Sequence, residues 1–410
     1  MKKVFYIKDS IENRISYYHL LFFLVALPFD RLYSTLILIS FILHSAIYFD
    51  LKRIGKVDKV TFIPQLVFFV TMISAIYSPS SSKSLAVLGN QMAILIFPLL
   101  FTLTTLDLAK YRSWLMEGLT MSCTLTIVYL YFDAFHTIFY YKLPVWKLFS
   151  LAFVNQNFSE PLDMHPTYLS MLIVLSIVYS LSKIMQKSGK NVYYLGSCFI
   201  LFAGLIQLGS KSALLSLMII IIFGVPWFLI NKKYRLRFLL YSLFVSVLLI
   251  SGIFSLQGFR NRFIVTLQND LTNSKGAVSM NGRLDRWKVA ADLIKKSPFL
   301  GTGSGSEIPL LRESYFERKM YGPYIFSLNA HNQYLSFLIT SGIVGLLIYL
   351  GTLGWGLRHS IRNKDVLLFS FIVLTIIVSF SEDLLDVNKG IFFYAFFYSF
   401  FIRSESILNS

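Results

Sequence analysis

A few basic side chains in this sequence stand where charge is costly, and what chemistry they could do is the first question they raise. His331 lies in NAHNQYLSFLITSGIVGLLIYLG, residues 329–351, which passes from polar residues into strongly apolar sequence. Placed on a helix, His331, Leu335, Leu338, Gly342 and Gly345 share one stripe, so both glycines fall beneath the histidine and admit a close neighbour, a helix or a lipid chain. In the first turn of that helix the dipole favours neutral imidazole, which can accept a proton. The alternative is an interfacial histidine that hydrogen-bonds a nearby backbone group.

Arg283 lies in SMNGRLDRWKVAADLIKKSPFLG, residues 279–301. The stretch reads as a helix of about four turns, capped by Ser279 or Asn281 and ended by Pro298 and Gly301. Trp287, Ala290, Ala291 and Ile294 share its apolar face, and Lys288, Asp292, Lys295 and Lys296 take the other. Arg283 falls within the apolar face, in the first turn, where burial requires an anion and the dipole offers no help. An arginine beside a helix N-terminus suits a diphosphate. Alternatively it pairs with Glu382, Asp383 or Asp386, or reaches water. Arg286 sits at the edge of the face. Lys211, in LGSKSALLSL, stands at the outer end of a tight hairpin between two spans, and His165 immediately precedes Pro166 at the start of another. Ionisable groups at such places are candidates by default. Asn332, next to His331, and Glu382, in the acidic turn SEDLLDVNKG, are further candidates for a substrate site.

The elements that must position these groups are membrane helices. Of the 410 residues 55% are hydrophobic and 14% charged, against about 25% charged in soluble domains. About twelve apolar segments of near-spanning length recur between residues 15 and 402, the first (15–29) and last (390–402) being short. The expected fold is an all-α polytopic membrane protein, a single membrane domain over residues 1–410 with one long loop at 256–328. MKKVFYIKDSIENR is basic, but no small-residue cleavage site follows, so the first apolar segment reads as a retained span. Cys123 and Cys198 lie inside apolar segments and read as buried thiols, not as a disulfide or zinc site.

The net charge of +17 could suggest nucleic acid, but the charges flank the spans, and no nucleic-acid partner is expected. DLKRIGKVDK, AKYR, SKIMQKSGK, NKKYRLR and RHSIRNK all fall on the side of the N-terminus, while the opposite short loops carry only Arg31, Lys83, Lys142, Lys147, Lys211 and Lys389. The positive-inside rule then makes both termini cytoplasmic and turns Lys211, Arg283, His331 and His165 outward. No phosphate-cradling Gly-Lys-Ser/Thr signature occurs, and GTGSG at 301–305 reads as a flexible turn. The outer side shows no Asp/His set with metal-ligand spacing, so neither a metal nor a cofactor is expected.

His331-Asn332, followed nine residues on by Gly342-x-x-Gly345, and GRLDRWKVAADLIKKSPFLGTGSGS, with its Gly-Arg, Trp, Ala, Pro and Gly-x-Gly-x-Gly pattern, resemble the O-antigen ligase and O-antigen polymerase superfamily of bacterial membrane glycosyltransferases. SEDLLDVNKGIFFYAFFYSFF resembles that family's closing segment. Together these cover the C-terminal third, and the span count extends the likeness along the chain. The resemblance implies a GT-C-like fold in the inner membrane and a glycan donor carried on undecaprenyl diphosphate at the periplasmic face. The acceptor is a sugar hydroxyl, on lipid A-core for a ligase or on a lipid-linked repeat for a polymerase. It further implies metal-independent, inverting transfer. His331 matches the family's catalytic histidine, Arg283 its loop arginine, and Lys211 the position of a second arginine; Arg286, at the edge of the loop helix's face, is a further candidate for the diphosphate apart from that match. Lysine keeps the charge at that position but loses the bidentate fork. The long loop with its glycine-rich segment favours the ligase branch. A carrier for lipid-linked glycans predicts paired broken helices in two related halves, and the sequence shows no such repeat.

Overall fold

The computed structural model describes residues 2–29, 31–50, 59–186, 189, 191–255, 257–265 and 282–405. No strand occurs among them. Six helices combine spanning length with apolar composition: Ser81–Leu103, Leu108–Tyr140, Pro166–Met185, Asn191–Leu208, Lys211–Leu229 and Gln333–Arg362. Shorter apolar helices cover Leu32–Ile47, Val60–Ile76 and Val366–Val378. Ile11–Ala26, Arg235–Ser255 and Asn388–Arg403 fold as helices over the remaining apolar segments. The chain is an all-α polytopic membrane protein.

The short last segment lies at the centre of the bundle. Every residue from Gly390 to Ile402 is buried, the pattern of a helix that is apolar all round. It runs along the Ser81–Leu103 helix, with the Phe396 ring against Phe23, Phe97 and Phe101. In lipid the gain comes from close dispersion contact more than from leaving water, and these rings meet in one stacked and two edge-to-face contacts.

Ion pairs mark one end of the bundle. Asp9 accepts from the Tyr111 hydroxyl at 2.7 Å and lies 3.7 Å from Lys110. Arg112 donates to both oxygens of Asp365 at 2.8 and 2.6 Å, and His359 meets Glu405 at 2.9 Å. The N-terminal segment, AKYR, RHSIRNK and the last described residues therefore gather together, as the charge pattern predicts. Residues 51–58 of the first basic loop lie outside the described residues.

The loop at the other end has its own small core. Val289, Ala290 and Leu293 of the Arg283–Lys296 helix pack with Leu311, Tyr315, Met320, Ala330 and Ile339. Ser279 and Asn281, read as helix caps, lie outside the described residues, as does Leu256 at the loop's start. The helix begins after Gly282, without a side-chain cap. Its buried face is also turned from the one read off the sequence: Arg286, Val289, Ala290 and Leu293 point inward, and Ala291 is exposed. The rotation is possible because the Arg286 guanidinium finds a backbone carbonyl, so its burial leaves the Val289–Leu293 stripe free to face the core.

The glycine stripe below His331 does not form. Gln333–Arg362 is broken at Gly342 (φ 63°, ψ −162°), and the loop from Pro298 to Gly303 is wedged into the break. Pro298 O accepts from Ile343 N at 2.9 Å and Phe299 O from Val344 N at 3.4 Å, while Thr302 N and Gly303 N donate to Ile339 O and Thr340 O at 2.8 and 2.9 Å. The loop thus answers the backbone groups that the break releases, which an apolar setting demands. A Cβ on Gly342 would overlap the Phe299 carbonyl, and one on Gly301 the Thr340–Ser341 peptide. The neighbour admitted by Gly342 is loop backbone, not a helix or lipid. Gly345 does meet a helix: its Cβ would stand 3.3 Å from Val70.

GTGSG is therefore no flexible turn. Ser304 N donates to Ser74 O at 3.2 Å, and Ser304 O accepts from the Ser78 and Ser84 hydroxyls at 2.7 and 2.8 Å.

Candidate active site

His331 lies outside the helix, before its cap. Asn332 is the N-cap, its side-chain oxygen accepting from Tyr334 N and Leu335 N at 3.0 and 3.2 Å. Asn332 is buried, so that oxygen is committed to the helix and not to a ligand. His331 adopts φ 48°, a left-handed conformation that few side chains accept and that persists only where the surroundings impose it.

The surroundings do so from both flanks. Upstream, Arg286 donates to Asn329 O at 3.0 Å, the Trp287 indole to Ala330 O at 2.9 Å, and Ala330 N to Glu307 Oε1 at 3.2 Å. Downstream, Asn332 N donates to Asp383 Oδ1 at 2.8 Å, Gln333 N to Ser379 O at 2.9 Å, and Leu385 N to Gln333 Oε1 at 2.7 Å. The loop helix grips one side of His331 and the turn after Val366–Val378 grips the other.

That second grip carries Glu382 to the histidine. Glu382 Oε2 lies 3.5 Å from His331 Nδ1, a close approach longer than a strong hydrogen bond. Its other oxygen accepts from the Thr167 hydroxyl at 3.3 Å, and Thr167 in turn accepts from Ser210 at 3.5 Å. Ser210 is the N-cap of the helix that opens with Lys211, directly after the left-handed Gly209. Arg283 donates to Ser381 O at 3.0 Å, beside Glu382. Burial raises the Glu382 carboxyl, but His331, His165 and Arg283 outweigh it and hold the group below the ordinary carboxylate value. Asp383 behaves oppositely: burial, then the nearby Glu307 and Asp386 carboxyls, push it well up. Two adjacent acids are thus set apart, one kept anionic beside the cations and one inclined to keep its proton.

The structure therefore gathers His331, Glu382 and Arg283, with His165 within electrostatic reach and Lys211 one residue from the Ser210–Thr167 link to Glu382. His165 also caps the Pro166–Met185 helix, accepting from Thr167 N at 3.4 Å. Arg286 is the more deeply buried arginine and supports the His331 backbone instead of lining the group of cations. The pairing of His331 with Glu382 escaped the sequence reading, as did the Asp383 pin and Glu307. One available signal was the density of carboxylates in SEDLLDVNKG, which exceeds what a solvated turn needs.

A histidine with a carboxylate at one ring nitrogen and fixed cations nearby can take a proton from a hydroxyl while an anionic leaving group departs. No curated protein matches the chain. The family model described as O-antigen ligase matches residues 196–350, a span that includes Lys211, Arg283, Arg286, His331, Gly342 and Gly345. Together with the helical membrane architecture, this match supports the likeness of residues 196–350 to the O-antigen ligase and O-antigen polymerase superfamily.

Proposed function

We propose that this protein is an O-antigen ligase, moving a glycan from undecaprenyl diphosphate to a sugar hydroxyl of lipid A-core at the periplasmic face of the inner membrane. The observation that carries the reading is the His331–Glu382 pair, held close to Arg283 and, through Thr167 and Ser210, next to Lys211. A proton on Nδ1, shared with Glu382, leaves Nε2 as the lone-pair nitrogen. Nε2 takes the acceptor hydroxyl proton as the oxygen bonds to the anomeric carbon. The bond from that carbon to the diphosphate oxygen breaks with its electron pair, and Arg283 and Lys211 balance the charge that accumulates there. Attack opposite the leaving group inverts the anomeric carbon. In this scheme the protein's own cations supply the charge, without a metal ion.

The test is deletion of the gene, complementation with variants and analysis of envelope glycolipids on a gel. Free lipid A-core with accumulated lipid-linked polymer identifies a ligase, whereas core capped by a single repeat identifies a polymerase. His331→Asn is the decisive variant, because asparagine tolerates the left-handed backbone and keeps the loop intact while removing the base. Normal glycolipid from an inserted His331→Asn protein would end the general-base assignment.

A further inference from the structure

Away from the candidate site, the Lys211–Leu229 span ends in a turn of uncompensated charge. Lys232, Lys233, Arg235 and Arg237 follow it closely, and no aspartate or glutamate occurs anywhere between Asp163 and Asp270. Neighbouring elements do not supply what this stretch lacks. Val366–Val378 packs beside the end of the span, with the Phe369 ring 5.1 Å from that of Phe228, but Asp365 at its start is committed through both oxygens to Arg112. Among the described residues none of the four cations is ion-paired.

The turn has a fixed shape. Arg235 donates to Ile230 O at 3.2 Å and to Trp227 O at 2.9 Å, and its guanidinium lies 5.0 Å from the centre of the Trp227 ring. Lys232 and Lys233, in the short 3-10 turn just before it, stay exposed. Trp227 is 56% exposed and Tyr234 48%, and a turn facing only water has no reason to show an indole beside its cations. Such aromatic rings belong where hydrocarbon gives way to headgroups. The helix that follows, Arg235–Ser255, packs mainly on the Ile220–Leu229 stretch and on its own chain neighbours. Leu236, Leu240, Phe244 and Val247, at helical spacing, are all exposed and form one stripe leading away from the cations. The stripe rises about 16 Å, close to half of a hydrocarbon layer of about 30 Å, which is the depth one acyl chain reaches.

We propose that the turn and the stripe together bind an anionic diacyl phospholipid, its phosphate held by Lys232, Lys233 and Arg237 and an acyl chain lying along Leu236, Leu240, Phe244 and Val247. Cations without a carboxylate partner, set at the end of an uncovered apolar face, match that molecule end for end. Lys211 opens the 19-residue helix that this turn closes, so the lipid site is separate from the cations beside His331. The inference goes beyond the transferase reading and does not depend on it.

The experiment places the full-length protein in phosphatidylcholine nanodiscs that contain graded amounts of phosphatidylglycerol brominated on its acyl chains, and reads the quenching of tryptophan fluorescence. Brominated phosphatidylcholine at the same levels is the comparison. Phosphatidylglycerol should quench at a mole fraction about tenfold lower than phosphatidylcholine, and Trp227→Phe should remove that extra quenching, which locates it at the turn. Lys232→Gln combined with Lys233→Gln should bring the two lipids to within about twofold of each other. Lys288→Gln combined with Lys295→Gln, at two lysines that aspartates already answer, should leave the preference intact. Inorganic phosphate should displace no more lipid than chloride does at equal ionic strength. Equal quenching by the two lipids, a preference indifferent to Lys232 and Lys233, extra quenching that survives Trp227→Phe, or displacement by phosphate alone overturns the proposal. Loss of the preference in the Lys288 and Lys295 variant overturns it too, because overall charge would then be its source. Failure here leaves the transferase reading untouched, and normal transfer by His331→Asn leaves the lipid site untouched.

Discussion

At the residue scale, the proposed mechanism makes Glu382, 3.5 Å from His331 Nδ1, a positioning residue for the base. Glu382→Gln preserves shape but cannot favour the Nδ1 proton or balance an imidazolium, and transfer should fall about 10²-fold or more, with the pH profile of the remaining activity displaced. A change in acceptor KM alone would argue for a binding role instead. The same carboxyl makes a pH prediction. Its folded value lies below the ordinary 4.5, so its stabilising contribution is fully present above about 4.5 and lost as pH falls through the folded value. Glu382→Gln should therefore lower thermal stability at pH 7, and the gap to the parent should narrow at pH 3.5. At position 211, Lys211→Arg should be tolerated or raise transfer, since arginine restores the bidentate geometry. Loss of transfer from the folded variant would show that the pocket is shaped for an ammonium.

At the element scale, the break at Gly342 decides whether the loop docks. Gly342→Ala combines a left-handed alanine with overlap against the Phe299 carbonyl, and should destabilise the protein by about 2 kcal/mol or more. Gly351→Ala, in open space on the same helix, is the control and should be neutral or slightly stabilising; equal melting temperatures for the two would remove the wedge as a structural requirement. This is also where sequence reading reached its limit. A wheel assumes an unbroken helix, so it aligned His331 with Gly342 and Gly345, whereas a glycine that pairs with a distant glycine-rich loop is invisible to local periodicity. The same limit hid the inward face of the Arg283–Lys296 helix, because only a tertiary partner, Asn329 O, makes burial of Arg286 tolerable. What local pattern could carry, it carried: the apolar segments, and through residues 283–345 the likeness to the O-antigen ligase family.

At the scale of the whole molecule, the bundle has two chemically distinct ends. Asp9, Arg112, Asp365 and Glu405 tie one end together with ion pairs and hydrogen bonds, and the candidate site occupies the other. With Cys123 and Cys198 replaced, an impermeant maleimide added to spheroplasts should label Lys83→Cys and spare Lys364→Cys until the membrane is opened. Equal labelling of both before permeabilisation would contradict the assigned orientation.

The grips on His331 also set an order of assembly. One comes from the Arg283–Lys296 helix, made before the histidine, and the other from Ser379, Glu382 and Asp383, made about fifty residues after it. A ribosome-bound chain that has just released His331 lacks both the Glu382 carboxylate and the Asp383 backbone pin, so by the proposed mechanism the nascent protein is chemically silent. Competence arrives only with the final hairpin. Under the proposed function, lipid-linked sugar in the same membrane is thereby spared premature turnover by the order in which the polypeptide is written.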